Sequence, residues 1–312
     1  MKTLICGSMA YDTIMVFEDR FQHHILPEKI HSLSVAFLVP TLRKEFGGTA
    51  GNIAYNLNLL GTDPLIMATV GHDFTEYQQR LESLNISTRY IRHLNDNFTA
   101  QAFITTDLDD NQITAFHPGA MNFSQLNQVE EAEHVSFGVV SPDGKQGMIE
   151  HASSFVKQGI PFLFDPGQGL PMFSGEELLN FIEQASYFAV NDYEAQLLVD
   201  KTQLSIEDLA QRVEAAVVTK GAEGSVIYTN NETIHIPAVR AENIVDPTGC
   251  GDAYRAGLIY GITHGWSWAK AGRLAALMGS LKIGHRGGQN HHYSLVEITT
   301  QFRQHFDLDL YT

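Results

Sequence analysis

The chain has 312 residues, 44% apolar and 18% charged, enough to bury a full core in one large α/β domain or two ordinary ones. Its formal net charge of −16 repels phosphate backbones and anionic lipid, which argues against nucleic-acid and membrane partners. An anionic small molecule stays compatible wherever backbone amides and a few basic side chains make a local positive field.

The chain opens MKTLICGSMAYD, an apolar run too short and too polar for a signal peptide or a membrane span. Its two cysteines, Cys6 and Cys250, form no CxxC pair, so a reducing cytoplasm is the expected compartment. Thr3–Cys6 reads as a buried strand. Gly7–Thr13 (GSMAYDT) follows it, at the strand's C-terminal end, where open α/β sheets bind ligands. There Asp12 either accepts bonds from a diol or closes an ordinary turn. Residues 13–45 then mix aromatic and aliphatic side chains with His and Pro, without a helical period. In EFGGTAGNIAYNL, Gly47 and Gly48 allow the backbone to approach a ligand closely. A helix over Thr49–Leu60 follows, with Ile53, Leu57 and Leu60 on one face and Gly61 as its stop. Asn52, in its first turns, offers a donor and an acceptor to sugar hydroxyls, or is simply a polar surface residue.

Leu65–Val70 is the next apolar run. Thr99–Phe116 (TAQAFITTDLDDNQITAF) is a hairpin, with Ala102–Thr106 and Gln112–Phe116 flanking a polar turn. The two β-rich pieces, about 13–45 and 99–117, either form a small sheet that covers a site or are ordinary edge strands of a single domain spanning 1–312. Val135–Val140, Pro161–Phe164, Tyr187–Val190, Ala216–Thr219 and Ser225–Tyr228 are bare apolar runs. Such runs suit strands covered on both faces. Helices are expected at Ser174–Gln184 and Glu207–Glu214, and after the N-cap Ser267. The alternation predicts an α/β fold with a doubly wound, mostly parallel sheet flanked by helices.

Three further stretches carry candidate chemistry. In VNDYEAQ, Asn191 and Glu194 either face a water-coordinated Mg²⁺ or phosphate, or cap a helix reciprocally. In VVTKGAEGS, Thr219 ends a strand and Lys220-Gly221 turns into a hairpin, which suits a nucleotide phosphate or a plain turn. In DPTGCGDA, Gly249 and Gly251 expose the amides of Gly249, Cys250 and Gly251 at the start of a helical run, where an anion is favoured. Asp252 follows in the first turn. It either caps that helix or accepts a hydroxyl proton during phosphoryl transfer. No P-loop, dinucleotide fingerprint, G-x-S-x-G, H-E-x-x-H or H-R-D pattern occurs. The adjacent pairs His23-His24 and His291-His292 are expected to point apart and to hold no metal.

The order of these stretches is similar to one family. Asp246-Pro247-Thr248-Gly249-Cys250-Gly251-Asp252 resembles the D-T-x-G-A-G-D signature of the PfkB, or ribokinase-like, sugar and nucleoside kinases. Gly47-Gly48 with Gly51-Asn52, Asn191 to Glu194, and Thr219-Lys220-Gly221 resemble its other motifs, so the likeness spans nearly the whole chain. Pro247 and Cys250 depart from the signature. The resemblance implies a ribokinase-like fold with a β-sheet lid that closes over the substrate and excludes water. It implies Asp252 as base, the amides of Gly249, Cys250 and Gly251 as the anion hole, and Asp12, Gly48 and Asn52 on the sugar hydroxyls. Asn191 and Glu194 order Mg²⁺ through water, with no direct protein ligand, while Thr219 and Gly221 lie by the ATP phosphates. ATP and Mg²⁺ are thus the implied cofactors, and a monovalent cation is left open. The stretches ICGSMAYDTIMVFE and ITAFHPGAM resemble a bacterial adenosine or broad nucleoside kinase subgroup. The expected acceptor is therefore the 5′-hydroxyl of a nucleoside, adenosine first, in purine salvage. Phe103, Phe116 and Phe37 are candidates to stack on its base. A free sugar such as ribose or fructose is the alternative acceptor. Lid edges that pair between protomers leave a homodimer open.

Overall fold

A computed structural model describes residues 2–25, 32, 34–109 and 111–311. Part of the first β-rich piece, residues 26–31 and 33, lies outside the described residues. The chain begins with β1 (Lys2–Cys6), β2 (Ala10–Val16) and β3 (Thr41–Gly47), then α1 (Thr49–Leu59), β4 (Leu65–Gly71) and α2 (Thr75–Ser83). β5 (Ser87–Leu94), the hairpin β6 (Ala100–Thr106) and β7 (Gln112–His117), β8 (Val135–Val140) and α3 (Lys145–Gln158) follow. Next come β9 (Phe162–Phe164), α4 (Gly175–Gln184), β10 (Tyr187–Asn191), α5 (Asp192–Thr202), α6 (Ile206–Ala210), β11 (Ala215–Thr219), β12 (Ser225–Thr229) and β13 (Thr233–Ile236). α7 (Cys250–Thr263), α8 (Trp268–Ile283) and α9 (Leu295–Phe306) close it.

The main sheet has the order β13-β12-β11-β10-β9-β8-β1-β4-β5, in which β12 alone runs against the other strands. Its strands are apolar runs because both faces are covered: all seven residues of β4 are buried. Two apolar clusters fill the two faces. One packs α1, α2, α7, α8 and α9 around Ile5, Ile66 and Leu274. The other packs α3, α4 and α5 around Leu4, Phe164 and Leu198. From β1 the chain winds outward to β4 and β5, and then returns through β8 in the other direction. That makes the C-terminal ends of β1 and β8 the switch point where a crevice opens.

Four strands build a separate small sheet in the order β3-β2-β6-β7. Its first strand begins at Ala10, earlier than the break in helical period at residue 13 suggested, and carries Asp12 within it. Cross-strand register fixes which side chains share a face. Asp12 stands opposite Glu45 and Ala102, and Ala102 opposite Phe116, so these share one face. Thr13, Phe103 and Ala115 lie on the other. That second face rests on the main domain through Tyr11, whose ring lies 5.7 Å from Tyr77 of α2.

Candidate active site

α7 begins at a glycine for a steric reason. Gly249 caps it with φ +77°, a left-handed backbone that a side chain strains, and a Cβ there would stand 2.9 Å from the Cα of Gly288. Two loops therefore touch backbone to backbone at the start of the helix. The loop is braced further by Asp246, whose carboxylate accepts the N–H groups of Thr248 (2.9 Å) and Gly287 (2.8 Å). Burial works to raise the pKa of Asp246, but these N–H bonds prevail and hold it low.

The three amides expected to make the anion hole do not stand alike. The N–H of Cys250 donates to the carbonyl of Pro247 at 3.1 Å, which closes the turn and withdraws it from a ligand. The exposed Gly251 is the second residue of the helix, and a Cβ on it would have only Arg255 within 4 Å, at 3.9 Å. The open ground at the positive end of α7 is thus the Gly251–Asp252 turn. Cys250 serves the loop's shape, and burial pushes its thiol up to about 11, so it stays protonated.

Asp252 is partly covered and opens on this crevice. Surrounding protein raises its pKa to about 7, with desolvation the largest cause. A hydrogen bond from Asn52 and the charge of Arg255 pull it down, while Asp165 and Asp12 push it up. Asn52 donates to Asp252 through Nδ2 at 2.8 Å and accepts from Gln289 Nε2 at 3.1 Å through Oδ1. Gln289 also donates to the hydroxyl of Tyr77, which donates to the carbonyl of Gly47 at 2.8 Å. Asn52 was expected on a sugar hydroxyl; its amide bonds Asp252 at one end and Gln289 at the other, with one N–H and one lone pair to spare.

Asp12 lies near enough for its charge to act on Asp252. Burial, then the charges of Asp246 and Glu45, raise its pKa to about 6. Gly47 makes room for it, since a Cβ there would stand 2.5 Å from Asp12 Oδ2. Gly48 caps α1 at φ +86° and lies so close to Ser8 that a Cβ would stand 2.5 Å from its carbonyl oxygen. Asp12, Asn52 and Asp252 are brought to one place. Phe116 shares the lid face of Asp12 and is half exposed. Phe103 does not: the odd–even register turns it to the opposite face, away from Asp12. Phe37 packs instead against Phe17 and Phe21, at ring distances of 4.8 and 5.1 Å.

Asn191 and Thr219 end neighbouring strands in register, and Gly221 turns the following hairpin at φ +54°. Asn191 and Glu194 form a capping box on α5. Asn191 Oδ1 accepts the Glu194 N–H at 2.7 Å, and Glu194 Oε2 accepts the Asn191 N–H at 2.8 Å. The helix-cap alternative is therefore the observed geometry. Sequence reasoning missed what balances Glu194. Arg255, one turn into α7, is buried and donates to both oxygens of Asp165 at 3.2 Å, with Glu194 Oε2 at 3.9 Å. Burial acts to raise the pKa of Glu194, Asp165 reinforces it, and Arg255 opposes. Gln289 and Arg255 carry no motif of their own. The pair Gly287-Gly288 after α8 is the signal that flags the segment closing on Asn52.

Among the described residues, no three His, Cys, Asp or Glu converge as a metal site. The pair His23-His24 does not point apart: both rings turn onto the Asp19 carboxylate, at 2.8 and 2.9 Å. Nor is any helix of the described residues long and apolar enough to cross a membrane.

Comparison with known proteins falls on the same reading. A model of the pfkB family of carbohydrate kinases matches residues 9–293. A nucleoside kinase of Methanocaldococcus jannaschii is 32% identical over 284 residues, 89% of this chain and 92% of that protein. A solved structure of Burkholderia thailandensis nucleoside kinase in complex with inosine has 54% identity and a TM-score of 0.91, covering 98% of this chain and 99% of that one. The same enzyme with ADP and inosine aligns with a TM-score of 0.88 at 55% identity, covering 98% and 97%.

Proposed function

The chain belongs to the pfkB family of carbohydrate kinases, and from that premise we propose that it transfers the γ-phosphoryl of ATP to the 5′-hydroxyl of a nucleoside, adenosine foremost. The observation that carries the transfer is the Asp252 carboxylate. It stands in the open first turn of α7, held at 2.8 Å by Asn52 and facing Asp12 across the crevice. A base with pKa about 7 is charged in a useful fraction at neutral pH and still takes a proton readily. It accepts the hydroxyl proton as the hydroxyl oxygen attacks phosphorus and ADP leaves. Charge on the phosphoryl group in transit meets the helix end at Gly251.

Asp12, mostly ionised at neutral pH, holds the ribose diol. Phe116 stacks on the base from the lid. The acceptor class rests on the similarity to nucleoside kinases at 32% and 54% identity. The Burkholderia enzyme's complexes with inosine support testing inosine as an acceptor alongside adenosine. Mg²⁺ bound with the ATP phosphates would neutralise their charge. Glu194 fits an outer-sphere contact, since one of its oxygens caps α5 and Arg255 stands nearby. Phe103 and Ile113, half exposed on the lid face turned away from Asp12, support a homodimer joined through the lids.

Coupled ADP release with adenosine, inosine, ribose and fructose side by side tests the acceptor. Turnover is expected on the two nucleosides, with adenosine the better. Turnover on the free sugars alone would make this a sugar kinase.

A further inference from the structure

Lys282, near the end of α8, has no solvent exposure. Its ammonium bonds to main-chain carbonyls: Asp246 at 2.7 Å and His285 at 2.9 Å. Asp246 opens the glycine loop. His285 opens the segment that returns Gly287 to the Asp246 carboxylate and Gly288 to Gly249. The ammonium therefore sits at the junction of the two loops that shape the phosphoryl site. Backbone N–H groups of Val245 and Asp246 reach the Ile283 carbonyl at 2.9 and 3.1 Å, which closes the same junction from the α8 side.

Taking an ammonium out of water costs several kcal/mol, and two carbonyl dipoles offset only part of it. Burial accordingly lowers the Lys282 pKa, against Cys250, Asp246 and Asp252, which favour the charge. A fixed cation under a loop that receives an anion gains the remainder from that anion. Converging carbonyl oxygens are also the donors a monovalent cation takes. Here those oxygens are already bonded to Lys282, so a potassium ion does not fit among them.

We propose that Lys282 is a positioning residue of phosphoryl transfer: its ammonium joins the two loops through their carbonyls, charges the anion site, and removes any need for a monovalent cation there. This rests on the kinase reading. ADP release is measured for the wild-type protein in buffers whose monovalent cation is tetramethylammonium, sodium or potassium. Lys282→Met is measured in the same buffers and in ammonium. The wild-type kcat stays within about twofold across the series, since no cation enters the site. Lys282→Met loses about 10²-fold in kcat, the scale of one lost transition-state donor, with little change in the nucleoside KM. Ammonium or potassium restores at least about tenfold of that loss and does nothing for the wild type. A wild-type enzyme that needs potassium overturns the proposal. So does a folded Lys282→Met with near-normal kcat, or with a loss no cation repairs. If Lys282→Met does not fold, the wild-type series alone decides. Wild-type protein silent with every acceptor and every cation sinks the kinase reading instead.

Discussion

Replacing Asn52 by Ala moves the pH at which the enzyme switches on. Asn52 donates to Asp252 at 2.8 Å, and that bond stabilises the charged carboxylate over the neutral acid. A hydrogen bond to a charged group contributes about 1.5–3 kcal/mol. At 1.36 kcal/mol per pH unit, its loss raises the Asp252 pKa by about 1–2 units. A base acts when deprotonated, so kcat/KM rises with pH through its pKa, which is about 7 in the free wild-type enzyme. In Asn52→Ala the acid limb is displaced by the same amount toward alkaline pH. The assay is kcat/KM for the nucleoside from pH 5.5 to about 9.5 in both proteins. The position of the limb is the readout, because a lost substrate contact lowers the whole curve without moving it. An acid limb at the same pH in both proteins refutes the coupling of Asn52 to the base.

Three shorter predictions follow from the same geometry. Phe116→Ala raises the nucleoside KM by an amount equal to about 1–3 kcal/mol of lost stacking, while Phe103→Ala, on the opposite face, changes it little. Equal effects from the two substitutions overturn the face assignment. Arg255→Met strands the buried Asp165 and leaves the partly buried Glu194 without its cation, and lowers stability by about 3–5 kcal/mol, read in denaturant melts. An unchanged midpoint shows that the triad is not coupled. Asp252→Asn stabilises the fold at alkaline pH. Its carboxyl has a folded pKa of about 7 against an unfolded 3.8, so ionisation costs stability as pH rises between those values. The gain in Tm is therefore larger at pH 8 than at pH 5, worth about 1–3 kcal/mol. Equal gains at both pH values refute the raised pKa.

The strands legible in the sequence were those whose burial is two-sided. Thr3–Cys6, Leu65–Val70 and Val135–Val140 read as apolar runs because helices cover both faces. β5 escaped notice because it lies at the sheet edge, where only Ile91 of Ser87–Leu94 is buried. The expected helix over Glu207–Glu214 ends at Ala210, since the chain turns to enter β11 at Ala215. Lys145–Gln158 went unread as a helix because its apolar face is punctuated by Gly147 and His151, both buried. In the site, glycine spacing and the order of the motifs were sufficient to bring Asp12, Asn52 and Asp252 together. What each contacts was not legible. That Asn52 reaches Asp252, that Phe103 turns away, and that Arg255 and Lys282 lie under the loop depend on tertiary register. No local pattern records it.

The central claim is that Asp252 takes the proton of the acceptor hydroxyl. Asp252→Asn keeps the shape and the hydrogen-bonding reach of the side chain and removes its basicity. Single-turnover kinetics with a nucleoside acceptor and ATP, beside calorimetric binding of the same nucleoside, separate chemistry from affinity. The transfer rate falls by about 10²–10⁴-fold with nucleoside Kd within about threefold of wild type. Near-wild-type transfer in Asp252→Asn contradicts the account, and the proton must then leave by another route.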